Sequence, residues 1–199
     1  MQHYFIDKEH KESDYFEFEE EFLNNKFTFK SCDSIFSKDC IDYGTKVLLQ
    51  SIYKNVSVKG KILDVGCGYG AIGIVLSKIF DNCNIVMCDI NNTAVNLSKF
   101  NVIKNKCKNV QNVLYSNAYE NINEKFDYIV TNPPIKAGKE NLLNILVNAK
   151  NFLTESGSLI FVIKKKHGEE SVKKLLEKEY SQVQILTREK GYYIIKADK

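Results

Sequence analysis

From Lys61 onward the chain alternates short β-rich apolar runs with stretches of helical spacing, and this alternation narrows the possible folds more than any other feature. The runs are Ile62–Val65, Ile85–Cys88, Val110–Leu114, Tyr128–Thr131 and Ser158–Ile163, and helical spacing falls near 71–80, 92–104, 139–152 and 168–179. Strands separated by helices in this way predict a parallel sheet covered on both faces, an α/β architecture. The end breaks the rhythm: Val183–Leu186 and Tyr192–Ile195 flank Arg188-Glu189-Lys190-Gly191, which predicts an antiparallel hairpin closing the sheet. Upstream, Asp42 is placed to cap a helix over about 42–54, with Val47, Leu48, Leu49 and Ile52 on its apolar face. Residues 15–22 alternate aromatic with acidic side chains, and Phe27-Thr28-Phe29 alternates again beyond Asn24-Asn25, predicting a small N-terminal β-hairpin. With 199 residues there is material for one well-buried core and an appendage. The expected division is an extension over residues 1–40 and a main domain over 41–199.

The first predicted strand of the alternating region, with Asp64 near its end, runs straight into Gly66-Cys67-Gly68-Tyr69-Gly70. Alternating glycines at a strand end let the backbone turn tightly and let a ligand approach without Cβ atoms in the way. Gly68-x-Gly70-x-x-Gly73 also matches the dinucleotide pattern, so the glycines by themselves leave a nicotinamide cofactor open. The next strand ends at Asp89, whose carboxylate can accept from two ribose hydroxyls or, alternatively, cap a helix starting at Asn91-Asn92-Thr93. Asn117 follows the third strand, where its amide is placed to meet a purine edge or to close a turn.

The chain has two prolines, and they stand together in Asn132-Pro133-Pro134, directly after the strand ending at Thr131. The carboxyl ends of strands in such a sheet border the ligand crevice, so this rigid turn is expected to face it. Two prolines remove two N–H donors, which leaves carbonyl acceptors beside the Asn132 side-chain oxygen. Acceptors are what a planar amino group requires. The lone pair of a guanine or adenine exocyclic nitrogen, or of a glutamine amide, is delocalised. Gripping both N–H bonds favours pyramidal character and aims that lone pair at a methyl sulfonium. The plainer alternative is that Pro133-Pro134 stops the strand before the next helix.

Charge is nearly balanced, 28 basic against 25 acidic residues, so the net +3 implies no strong nucleic-acid or membrane field. Its distribution is uneven: residues 1–25 carry −6 and the remainder +9. Lys136, Lys139 and Lys164-Lys165-Lys166 fall near predicted strand ends on one rim, placed to contact phosphates or simply to be solvated. His167 beside them reads as a helix-start residue. The six cysteines include no C-x-x-C pair and no spaced histidines, so no metal is expected and a reducing, cytoplasmic setting is. No apolar run approaches the length of a membrane span.

Taken together, Asp64 to Gly70, Asp89 and Asn132-Pro133-Pro134-Ile135 resemble, in order and spacing, the class I methyltransferases of the methyltransferase small domain family. That family includes the ribosomal RNA guanine-N2 methyltransferases. The resemblance spans roughly residues 27–197, with Phe36-Ser37 before the first helix and the terminal Gly191 to Ile195 segment. It implies a Rossmann-like, seven-stranded, mostly parallel sheet with an antiparallel last strand. It implies S-adenosylmethionine as cofactor, with Gly66, Gly68 and Gly70 shaping the methionine and ribose pocket, Asp89 at the ribose and Asn117 near the adenine. Asp64, Cys67, Ile90 and Ala118 complete the implied cofactor set. Asn132, Pro133, Pro134 and Ile135 form the implied catalytic loop, and Phe36, Ser37 and Lys136 the substrate contacts. Two departures stand out: Ile135 occupies a place where many nitrogen methyltransferases carry a stacking aromatic, and the guanine-N2 enzymes often hold two copies of the fold where this chain has one. The expected function is methylation of guanine N2 in ribosomal RNA, with RNA as partner and no membrane or metal. Glutamine-N5 or adenine-N6 methylation, a nicotinamide-dependent oxidoreductase, and a non-catalytic cofactor-binding module are the alternatives.

Overall fold

A computed structural model describes residues 11–134 and 138–199. After a short 3-10 turn, strands β1 (Tyr15–Phe22) and β2 (Asn25–Cys32) pair as an antiparallel hairpin. Its turn residues are Leu23 and Asn24, both at positive φ, as a two-residue hairpin turn demands. The turn therefore sits one residue earlier than the Asn24-Asn25 pair suggests. Helix α1 (Tyr43–Asn55) follows, capped by Asp42, whose carboxylate accepts from the Thr45 N–H at 3.2 Å.

The alternating region forms β3 (Gly60–Val65), α2 (Ala71–Ile79), β4 (Cys83–Asp89), α3 (Asn92–Lys104), β5 (Val110–Tyr115), β6 (Phe126–Thr131), α4 (Lys139–Asn148), β7 (Leu153–Lys164), α5 (Glu169–Glu179), β8 (Gln182–Glu189) and β9 (Tyr192–Asp198). Seven strands make one sheet in the order β5-β4-β3-β6-β7-β9-β8. The pairs among β5, β4, β3, β6 and β7 are parallel, and β9 runs antiparallel to both β7 and β8. This is the expected Rossmann-like sheet, with the last strand inserted against the direction of its neighbours. The predicted helix over 139–152 gives way at Ala149 to a 3-10 turn that runs to Phe152, and β7 starts at Leu153, ahead of the predicted Ser158.

Helices α1, α2 and α3 bury their apolar faces on one side of the sheet through Leu48, Ile52, Ile74, Val75 and Leu97. Helices α4 and α5 do so on the other through Leu142, Leu146, Val172 and Leu176. Phe27 and Phe29 of the hairpin are fully buried in the first of these cores. Two asparagines of α3 tie β2 in place by amide pairing: Asn101 accepts from the Lys30 N–H (2.7 Å) and donates to the Lys30 carbonyl (2.9 Å). Asn105 repeats the arrangement at Thr28, at 3.1 and 2.8 Å. Spaced by four residues, the two amides lie on one face of α3 and satisfy the outer edge of β2 as a neighbouring strand would.

Candidate active site

The strand-end turn is held by its own backbone. The Gly66 and Cys67 N–H groups both donate to the Cys88 carbonyl, at 2.9 and 3.0 Å, which pins the turn to the end of β4. Gly66 has φ +75°, and a Cβ placed there would meet nothing within 4 Å, so this position opens onto free space. Gly70 has φ +98°, and a Cβ there would lie 2.9–3.1 Å from Ile74, Met87 and Ser98. At Gly73 the same test brings Met87 Sδ to 2.6 Å, so the third glycine serves the close approach of α2 to β4. Packing therefore accounts for Gly70 and Gly73, whereas Gly68, at φ +59°, would bring a Cβ no closer than 3.9 Å to Ile35 and is required by its backbone conformation. The ring of Tyr69, between two of the glycines, packs edge-on against Phe18 and Phe29 of the hairpin at 5.6 and 5.2 Å. Asn101 donates to its carbonyl at 2.8 Å. The hairpin and α3 thus brace the glycine turn from behind.

Asp64 is fully buried behind the turn, where one carboxylate oxygen accepts from the Gly73 N–H at 2.9 Å and the other has no partner. Burial pushes its carboxyl up to about 7. Asp89 stands at the end of β4 and accepts backbone N–H groups from Gly68 on one oxygen and Asn91 on the other, both at 2.9 Å, and from Ile90 as well. Burial raises its carboxyl above the ordinary range against the pull of those bonds. The cap of α3 is Asn91, which accepts from the Ala94 N–H at 3.2 Å, so Asp89 is free of the capping role. Ser116 joins the end of β5 to this point through its N–H to the Asp89 carbonyl at 2.9 Å. Asn117 is exposed and donates to Glu120 at 2.8 Å across a turn.

These groups border one cleft of about 530 Å³ across the carboxyl ends of the parallel strands. One end is walled by Gly66, Cys67, Gly68, Asp89, Ile90, Asn117 and Ala118, from β3, β4 and β5. Asn132, Pro133 and Pro134 after β6, Lys164 and His167 at and after the end of β7, and Phe36 and Ser37 from the segment before α1 also line the cleft. Asp64 and Gly70 lie outside its wall, and Ile135 and Lys136 lie outside the described residues. The ring of Phe36 is half exposed, at 50 %. His167 falls in a 3-10 turn ahead of α5, and burial together with Lys166 and Lys164 holds its imidazole below the usual histidine range.

The wall includes side chains that sequence reasoning left out. Asp42 and Thr45 reach the cleft from the start of α1, and both accept from the Asn132 side-chain amide, at 3.3 and 2.9 Å. Because the Asp42 carboxylate accepts only, the amide nitrogen of Asn132 must face it, which turns the carbonyl oxygen away from α1. The capping motif at Asp42 was legible; a contact across 90 residues of chain was not. Tyr192 of β9 also lines the cleft, with the Lys164 ammonium 4.6 Å over its ring. The open turn at Gly66, the Asp89 carboxylate and the Asn132 amide thus border one cleft.

The profile described as methyltransferase small domain matches residues 26–196. The chain belongs to the methyltransferase small domain family. With that membership come the methyltransferase class and the methyl donor S-adenosylmethionine, and hydride transfer is set aside. Over 200 aligned residues the chain is 39 % identical to the uncharacterized protein YbxB of Bacillus subtilis, covering 100 % of this chain and 98 % of that one. It is 30 % identical to ribosomal RNA small subunit methyltransferase C of Haemophilus ducreyi, covering 85 % of this chain and 51 % of that protein. Among solved structures, the T. thermophilus 16S rRNA N2 G1207 methyltransferase in complex with AdoMet and guanosine superposes with a TM-score of 0.83 at 24 % identity, over 93 % of this chain and 50 % of that one. The chain thus spans about half the length of these rRNA methyltransferases.

No helix among the described residues is long and apolar enough to cross a membrane. Among them there is also no cluster of three or more His, Cys, Asp or Glu suited to a metal ion.

Proposed function

We propose that this protein methylates the exocyclic N2 of a guanine in ribosomal RNA. The observation that carries the reading is the fixed Asn132 amide in the cleft, whose nitrogen is held by Asp42 and Thr45. Its carbonyl oxygen, with the acceptor carbonyls of the Pro133-Pro134 turn, grips the N–H bonds of the target amino group and aims the nitrogen lone pair along the line of transfer. Bound S-adenosylmethionine supplies an electrophilic methyl on a sulfonium. Transfer would form the N–C bond as the S–C bond breaks, leave that bond's electron pair on sulfur and release a proton from the target nitrogen to solvent. Gly66, Gly68 and Cys67 line the methionine end of the cofactor site, Asp89 with Ile90 accepts the ribose hydroxyls, and Asn117 with Ala118 borders the adenine. Asp64 and Gly70 support that site from behind.

Phe36 and Ser37 cover the acceptor, Ile135 gives it apolar contact, and Lys136 with the Lys164 rim contacts phosphates. The choice of guanine in rRNA over other amino groups rests on the relatives named as small-subunit rRNA methyltransferases and on the strong likeness of fold to one of them. Nucleoside mass spectrometry of rRNA from cells with and without the protein tests it, and N2-methylguanosine at one position should depend on the protein. Asn132→Ala should keep cofactor affinity while lowering methyl transfer about 10²–10³-fold, as removal of one preorganised electrostatic partner does elsewhere. Label in protein glutamine or in N6-methyladenosine instead would reassign the acceptor, and a parental rate for Asn132→Ala would reject the loop chemistry.

A further inference from the structure

We infer that Asp42 and Thr45 are positioning residues for methyl transfer, setting both the direction and the acceptor strength of the Asn132 carbonyl. The inference rests on reading Asn132 as the group that grips the acceptor nitrogen. An asparagine amide is nearly symmetric in shape, and a half-turn about its last bond would present two N–H donors to an acceptor that itself offers N–H bonds. Helix α1 forbids that half-turn. The amide nitrogen donates to Thr45 Oγ1 at 2.9 Å and to Asp42 Oδ2 at 3.3 Å, and a reversed amide would set its oxygen against a carboxylate. Donation toward an anion also draws electron density onto the amide oxygen, strengthening it as an acceptor where positive charge develops on the target nitrogen.

The platform is held in turn. Thr45 is buried, and Glu20 of the hairpin accepts from the Ile41 N–H at 3.3 Å and pairs with Lys46 at 2.7 Å, fixing the chain on either side of Asp42. Asp42 is also the α1 cap, and a cap alone is the competing account of its presence. Serine caps a helix about as well as aspartate but carries no charge, so Asp42→Ser separates the two roles.

Steady-state methylation with small-subunit rRNA and assembled small subunits from a strain lacking the protein reads the difference. Asp42→Ser and Thr45→Val should each lower kcat about 10-fold or more, leave KM for RNA and the affinity for S-adenosylhomocysteine within about twofold, and unfold at the parental temperature. Thr45→Ser, which restores the hydroxyl, should recover most of the rate. Asp42→Ser at the parental kcat, or Thr45→Ser as impaired as Thr45→Val, overturns the inference. So does a loss of rate matched by lower melting temperature and weaker cofactor binding in every variant. Should the parent methylate glutamine instead, the guanine reading falls, and the same variants assayed on that acceptor still decide the positioning role.

Discussion

Asp89 and Asn91 stand two residues apart and divide between them roles that a sequence alone can give to either. Asn91 takes the helix cap, and Asp89 holds the glycine turn through the Gly68 N–H while lining the cleft. Asp89→Ala should therefore weaken S-adenosylhomocysteine binding by about 1.5–3 kcal/mol, the range for losing hydrogen bonds to a charged acceptor, as calorimetry would measure. An unchanged dissociation constant would confine Asp89 to holding the turn. Asp64 makes a different prediction because it is sealed from the cleft. Its carboxyl titrates near 7 in the folded protein against 3.8 ordinarily, so between those values the native state retains a proton that the unfolded chain has released. Stability contributed by the protonated form is complete below about pH 4, falls as pH rises toward 7 and is flat above, with an amplitude on the order of a few kcal/mol. Asp89, shifted the same way, adds to the slope. Urea unfolding at pH 5 and pH 8 should show a clear loss in the parent and a smaller one in Asp64→Asn, and equal losses would remove Asp64 as the source.

At the scale of elements, the hairpin shows where pattern reading reaches and where it stops. Alternation of aromatic with acidic residues over 15–22, and of Phe27 and Phe29 about Thr28, revealed β1 and β2, because period-two alternation is a local property of a half-buried strand. What the hairpin does was invisible, because it depends on Asn101 and Asn105, about 70 residues away and on a helix whose own spacing gives no sign of them. The same limit hid Thr45 and Tyr192 from the cleft, whereas the glycine turn, Asp89 and Asn132 were legible because strand ends in this architecture must face the crevice. Asn101 now carries three partners, the N–H and carbonyl of Lys30 and the carbonyl of Tyr69. Asn101→Ala should cost about 2–4 kcal/mol in chemical denaturation, since buried backbone groups lose their partners. It should also weaken cofactor binding, since Tyr69 belongs to the turn. Exposed Lys99→Ala on the same helix should do neither.

Across the whole molecule, the cleft joins several elements: β3 and β4 supply the glycine turn, α1 and β6 hold Asn132, and the hairpin and α3 brace the glycine turn from behind. A ligand seated there stabilises the native state as a unit, and the effect is read as a shift in global unfolding. At a free concentration one hundred times its dissociation constant, S-adenosylhomocysteine should add about 2.7 kcal/mol. For a chain of this size that raises the melting temperature by about 5–11 °C. NAD should add nothing, because Gly70 and Gly73 are accounted for by packing of α2 against Met87 and the chain belongs to a methyltransferase family. The variants divide by which part of the cleft they touch. At that same ligand concentration Asp89→Ala should lose most of the shift, while Asn132→Ala keeps it and loses the rate. A melting shift with NAD but none with the sulfur ligand would refute the cofactor assignment, whereas an Asn132→Ala shift as small as that of Asp89→Ala would move Asn132 from the acceptor to the cofactor.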